Sequence, residues 1–141
     1  MIKNKKYSKS FSLVEVLVFT AVLGLFFVAA MAVATFNLKN IKIQEHKILA
    51  TRFAEEGIEW VKQQKEDDWT GFIARGSSAG TIYCLNSLGW TSGSCGDYSL
   101  GTIFKRELVI KNSGDAVLTV YWQDMGTVLS VPIKTVFKLL E

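Results

Sequence analysis

Residues 9–24 read KSFSLVEVLVFTAVLG, and they open onto residues 16–36, VLVFTAVLGLFFVAAMAVATF, a run without one charged side chain. Its 21 residues, at ~1.5 Å each, span roughly 30 Å as a helix, which matches the hydrocarbon core of a bilayer. A helix buried in a soluble protein is rarely apolar on every side for that many turns, so the run reads as a transmembrane helix. Gly24 does not oppose this, because lipid makes intrahelical hydrogen bonding compulsory and overrides glycine's weak propensity. A small residue also permits close contact between membrane helices. Ala30, Ala32 and Ala34 have the small-residue spacing of a cleaved secretory signal. Against that reading, the run exceeds the ~7–15 apolar residues of such signals and has Glu15 at its start.

The preceding decapeptide, MIKNKKYSKS, is short, basic and polar, and the chain's net charge of +3 is concentrated in its Lys3, Lys5, Lys6 and Lys9. Lysines beside a hydrophobic span hold that side in the cytoplasm. Their placement therefore argues for membrane topology rather than a nucleic-acid surface, and puts the C-terminal part outside the cytoplasm.

The helix is not expected to stop with the membrane. Residues 37–64 lack proline, and Ile41, Ile48, Leu49, Phe53, Trp60 and Val61 fall on one stripe at helical period. Lys39, Lys42, Lys47, Glu55, Glu59 and Lys62 occupy the opposite surface. Residues 66–103 are rich in Gly and Ser with scattered aromatics, which describes a loop region pinned by occasional buried side chains. Residues 104–141 change character again. FKRELVIKNS, AVLTVYWQD and TVLSVPIKTVF are strand-like runs separated by the turn clusters NSGD and DMG. They predict an antiparallel meander, with Pro132 confining the third strand to an edge or a bulge.

The expected fold class is thus α+β, a long N-terminal helix packed on a small antiparallel sheet. Its parts are a cytoplasmic leader (1–10), a transmembrane helix (11–36), an amphipathic continuation (37–65), a cysteine-containing loop region (66–103) and a sheet (104–141). At 141 residues, with the span removed, any independent core is small and benefits from a staple or from neighbouring subunits.

The segment containing Ser10, Phe11, Ser12, Leu13, Val14 and Glu15, continued by Val16, Leu17, Val18, Ala21 and Gly24, resembles the N-terminus of type IV prepilins and the related pseudopilins. The stretches FAEEGIEWVKQQ (53–64) and VYWQDMG (120–126) also look like parts of minor pilins. The resemblance implies a pilin-like fold. It further implies cleavage between Ser10 and Phe11 by a prepilin peptidase, N-methylation of Phe11, and an assembly role for Glu15 against the Phe11 amine of a neighbouring subunit. Ser10 departs from the glycine that the family nearly always places there. Serine is small enough for cleavage, but it adds bulk where the family has none, which implies slower processing or a dedicated peptidase.

An ionisable group at the start of a span is expensive to bury and is usually retained because it meets a partner. Cys84 and Cys95 are the chain's two cysteines. In an exported context they favour one disulfide, worth at most ~3 kcal/mol, over two buried thiols or a metal site. The lone His46 reads as a solvated helix residue, and Asp67-Asp68 as a solvated helix end. Trp69, Phe72, Tyr83, Trp90, Tyr98, Tyr121 and Trp122 read mostly as core or loop anchors. No nucleophile elbow or phosphate-binding loop is present.

The expectation is a minor pilin or pseudopilin of a type IV pilus or a related secretion or competence filament, with no enzymatic activity, no cofactor and no metal. Its expected partners are other pilin subunits, the prepilin peptidase, assembly-platform proteins and membrane lipid, without direct nucleic-acid binding. The expected location is the cytoplasmic membrane in a single pass, followed by a cell-surface pilus or periplasmic pseudopilus. The alternative is a signal-anchored extracellular binding or adhesion module that does not polymerise.

Overall fold

The computed structural model describes residues 12–138. Ser10 and Phe11 lie outside the described residues. The dominant element is α1, Leu13–Asp67, 55 residues long. Two compact units share it, divided between Ile41 and Lys42.

In the first unit α1 is apolar enough and long enough to cross a membrane, and its described residues are exposed. Its hydroxyls are folded back onto the backbone. Thr20 Oγ1 donates to the Leu17 carbonyl at 3.0 Å, and Thr35 Oγ1 lies 3.0 Å from the carbonyls of both Met31 and Ala32. Such internal satisfaction is what a helix needs where no water is available.

The second unit packs the rest of α1 on a five-stranded antiparallel sheet. Its strands are β1 (Thr81–Cys84), β2 (Thr91–Ser92), β3 (Phe104–Ile110), β4 (Asp115–Asp124) and β5 (Thr127–Val136), in the order β2-β1-β3-β4-β5. β3, and β4 as far as Trp122, alternate between buried and half-covered positions. Phe104, Arg106, Leu108 and Ile110 on β3, and Ala116, Leu118, Val120 and Trp122 on β4, therefore share the face under the helix. β5 is an edge strand, so Pro132, paired with Thr119, costs the sheet no internal hydrogen bond.

The stretch 66–103 is more structured than a pinned loop. Asp68 has extended backbone and accepts from Gly71 N at 2.9 Å, capping the short helix α2 (Trp69–Ala74). β1 then joins the sheet beside β3, pairing Ile82 with Val109 and Cys84 with Glu107.

The helix buries only part of the stripe expected of it: Val61 is buried and Phe53 and Trp60 pack against the core. Ile41, Ile48 and Leu49 are exposed, while Ala50, Ala54, Gly57, Ile58 and Val61 are buried. The reason is distance. A Cβ on Gly57 would lie 2.6 Å from Leu118 Cδ1 and 2.8 Å from Arg106 Cδ, so only small side chains let the helix come this close. His46, expected to be solvated, is half-buried edge-on against Phe104 with ring centroids 6.1 Å apart. Its Nδ1 is buried without a hydrogen-bond partner.

Aromatic side chains fill the other end of the core. Phe72 packs on Phe137 at 5.3 Å, and Trp90 lies 5.1 Å from both Trp60 and Tyr83. Tyr83 Oη donates to the Arg75 carbonyl and Trp90 Nε1 to Gln64 Oε1. Tyr98 and Tyr121 instead flank the Lys105 ammonium at 5.5 and 5.3 Å on the opposite face of the sheet.

Candidate functional site

The first turn of α1 holds the one acidic residue of the apolar segment. Ser12 precedes the helix, and its carbonyl accepts from Glu15 N at 3.0 Å and Val16 N at 3.2 Å. Ser12 and Glu15 stand in the S-x-x-E spacing of a capping box, in which the acid three residues into the helix helps satisfy free backbone donors. A carboxylate at this position also complements the positive end of the helix dipole. The bonds that the structure shows here are those of the backbone; the spacing leaves a role within its own helix open to Glu15, alongside any partner it meets. That signal was legible in the sequence, as a serine three residues before a glutamate at the start of an apolar run.

A second arrangement, in the other unit, fixes the headpiece. Arg106 is 1% exposed and lies between the helix and the sheet. Its Nη1 donates to the Phe53 carbonyl at 2.6 Å and to Glu56 Oε2 at 3.0 Å. Its Nε and Nη2 donate to the Leu85 carbonyl at 3.1 and 2.9 Å. The planar guanidinium suits this task, because its fixed fork serves two directions at once. Gly57 makes the approach possible, since a side chain there would occupy the space of the arginine's own carbons. Burial lowers the pKa of the guanidinium from its ordinary value, while the hydrogen bond and charge of Glu56 raise it. Arginine nonetheless stays protonated in proteins.

The same arginine ties in the cysteine loop. Cys84 and Cys95 are joined by a disulfide with their Cα atoms 4.8 Å apart. Leu85, next to Cys84, donates its N–H to the Arg106 carbonyl at 2.9 Å. Asn86 accepts from Arg106 N at 2.8 Å and donates to Asp97 O and Ser99 Oγ. Cys95 N in turn donates to Glu107 Oε1 at 3.0 Å. Helix, sheet and loop thus meet at one buried cation, which makes the headpiece a single mechanical body.

No known family, curated protein or solved structure matches the chain.

Glu15 and the disulfide lie in different units, and Ser10 and Phe11 fall outside the described residues. Among the described residues no three His, Cys, Asp or Glu side chains converge as a set of metal ligands. What the fold offers is a long apolar helical segment with an acid in its first turn, and a headpiece packed on the C-terminal part of the same helix.

Proposed function

We propose that the chain is a membrane-anchored structural subunit of a helical filament, a minor pilin or pseudopilin, and that it carries no catalytic chemistry of its own. The observation behind this is α1 itself, one helix that begins as an exposed apolar rod and ends as the spine of a folded headpiece. An anchor alone would need only the span, whereas a rod continuous with a headpiece can pass from lipid into a bundle of like helices. In the membrane its apolar surface meets lipid, and in a filament it meets the same surface of neighbouring subunits.

In this reading the leader, residues 1–10, is removed on the cytoplasmic side and the new Phe11 amine carries positive charge. Glu15 of one subunit pairs with the Phe11 amine of the next. Two charges that would be unpaired in a low-dielectric setting are then matched. A subunit stacked out of phase would leave a buried charge alone, at a cost of roughly 3–5 kcal/mol. The pair thereby sets the axial register. Residues 37–65 serve as the amphipathic continuation that carries the headpiece outside the cytoplasm, and assembly is driven by platform proteins.

Intact-mass measurement of the protein isolated from native membranes tests the processing step. The expected result is a chain that begins at Phe11, bears one added methyl group, and reverts to the full-length mass when the peptidase is absent. A full-length mass in cells with an active peptidase would remove the basis for polymerisation.

A second reading, a signal-anchored binding module that never assembles, draws support from the capping-box spacing of Ser12 and Glu15. It explains the acid without a partner.

A further inference from the structure

The turn between β4 and β5 has, at the first of its two central positions, a residue that a two-residue hairpin disfavours. Met125 has φ 46° and Gly126 φ 82°, so both central positions are left-handed, the geometry that selects Asn, Asp or Gly. A methionine there is strained, and it is also 82% exposed. Val128, just past the turn, is 56% exposed. Strain and exposed apolar surface coincide at the one tip, and neither contributes to the core.

The position of the tip says what it meets. Gly57 faces Leu118, and eleven residues earlier in the helix His46 faces Phe104, which pairs with Trp122. β4 therefore runs from Leu118 to Trp122 back along the helix toward Lys42, and its turn lies at that end of the headpiece. Only residues 37–41 separate Lys42 from the apolar run. Even fully extended at ~3.6 Å per residue, they hold Lys42 itself within roughly 20 Å of the segment. The tether keeps the tip at high local concentration beside the bilayer.

We propose that the β4–β5 turn is a membrane-surface contact, with Met125 and Val128 seated among phospholipid headgroups before the subunit leaves the bilayer. Methionine's flexible thioether suits an irregular, fluid surface better than a rigid side chain would. The contact limits how far the headpiece tilts on its anchor while the subunit waits in the membrane. This inference rests on the reading of residues 16–36 as a span.

The test uses the full-length chain in vesicles of phosphatidylcholine and phosphatidylglycerol, at an average of one chain per vesicle. Some of the lipid carries a nitroxide at headgroup depth. Single cysteines at Gln123, Asn112 and Phe27 carry a fluorophore, Asn112 being in the turn at the opposite end of the sheet. Quenching at position 123 is expected to exceed that at 112 at least threefold, and to fall by half or more with Met125→Asn and Val128→Thr. Those two substitutions suit the turn and the strand, so unchanged circular dichroism would show an intact fold. Equal quenching at 123 and 112, no response to the two substitutions, or quenching that arises only at high chain density would overturn the contact. In a parallel preparation with the nitroxide on the lipid acyl chain, an unquenched label at Phe27 would instead defeat the span, and the contact with it.

Discussion

Arg106→Ala should destabilise the headpiece by roughly 3–5 kcal/mol, the loss expected when a large buried side chain leaves a cavity and its hydrogen bonds are broken. Four donor contacts vanish together, two to the Leu85 carbonyl, one to the Phe53 carbonyl and one to Glu56. Leu85 O retains the N–H of Leu88, which keeps the loss from being larger. Arg106→Lys should recover only part of it, because one ammonium cannot replace a planar fork reaching two ways. Glu56→Gln isolates the charge. Glu56 is 52% exposed, so water screens its contribution and removing it should cost about 1 kcal/mol or less. Denaturant unfolding of the detergent-solubilised protein checks the order Ala > Lys > Gln. Equal losses for Arg106→Ala and Glu56→Gln would mean that the ion pair, not the hydrogen bonds to backbone, is what matters.

The second large effect is at Gly57. Alanine would raise helix propensity by ~1 kcal/mol if nothing opposed it. Its Cβ, however, would meet Leu118 Cδ1 at 2.6 Å and Arg106 Cδ at 2.8 Å. Overpacking of that kind costs about 3 kcal/mol, and more if the guanidinium is displaced. Steric cost wins, and a net loss of about 2 kcal/mol is expected, or roughly 8–16 °C in melting temperature for a headpiece of this size. Gly24→Ala is the control, since nothing lies within 4 Å of that position, and it should leave the headpiece melting unchanged. Stabilisation by Gly57→Ala would show that the helix stands further from the sheet than described.

These two positions also show where the sequence was hard to read. A helix long and apolar enough to cross a membrane was legible because 21 consecutive residues carry no charge. The β3–β5 meander was legible because period-2 alternation and turn residues agree. The face that α1 buries was legible only in part: Phe53, Trp60 and Val61 do meet the core, but Ala50, Ala54 and Gly57 contribute by being small, and a search for large apolar residues adds the exposed Ile41, Ile48 and Leu49 instead. Arg106 could have been found. It has the same parity as Phe104, Leu108 and Ile110, which places an arginine on the buried side of β3. β1 gave only four residues, TIYC, inside a Gly- and Ser-rich stretch, and its partner β3 lies beyond the whole cysteine loop. Pairing of that kind is decided by tertiary contact rather than by local pattern. At Glu15 the charge at the start of an apolar run points to a partner outside the helix, and that signal masks its capping spacing with Ser12.

That double meaning of Glu15 selects the decisive measurement, which is the amount of a Glu15→Gln subunit recovered in sheared, purified filaments relative to the amount folded in the membrane. Glutamine serves a capping box as well as glutamate does, so the helix start survives and only the charge is lost. The account predicts that the folded protein accumulates normally in the membrane while its recovery in filaments falls at least tenfold. Glu15→Ala should behave the same way in filaments. Recovery of Glu15→Gln equal to that of the unsubstituted chain would contradict the account, because the acid would then be acting within its own helix and not on a neighbour.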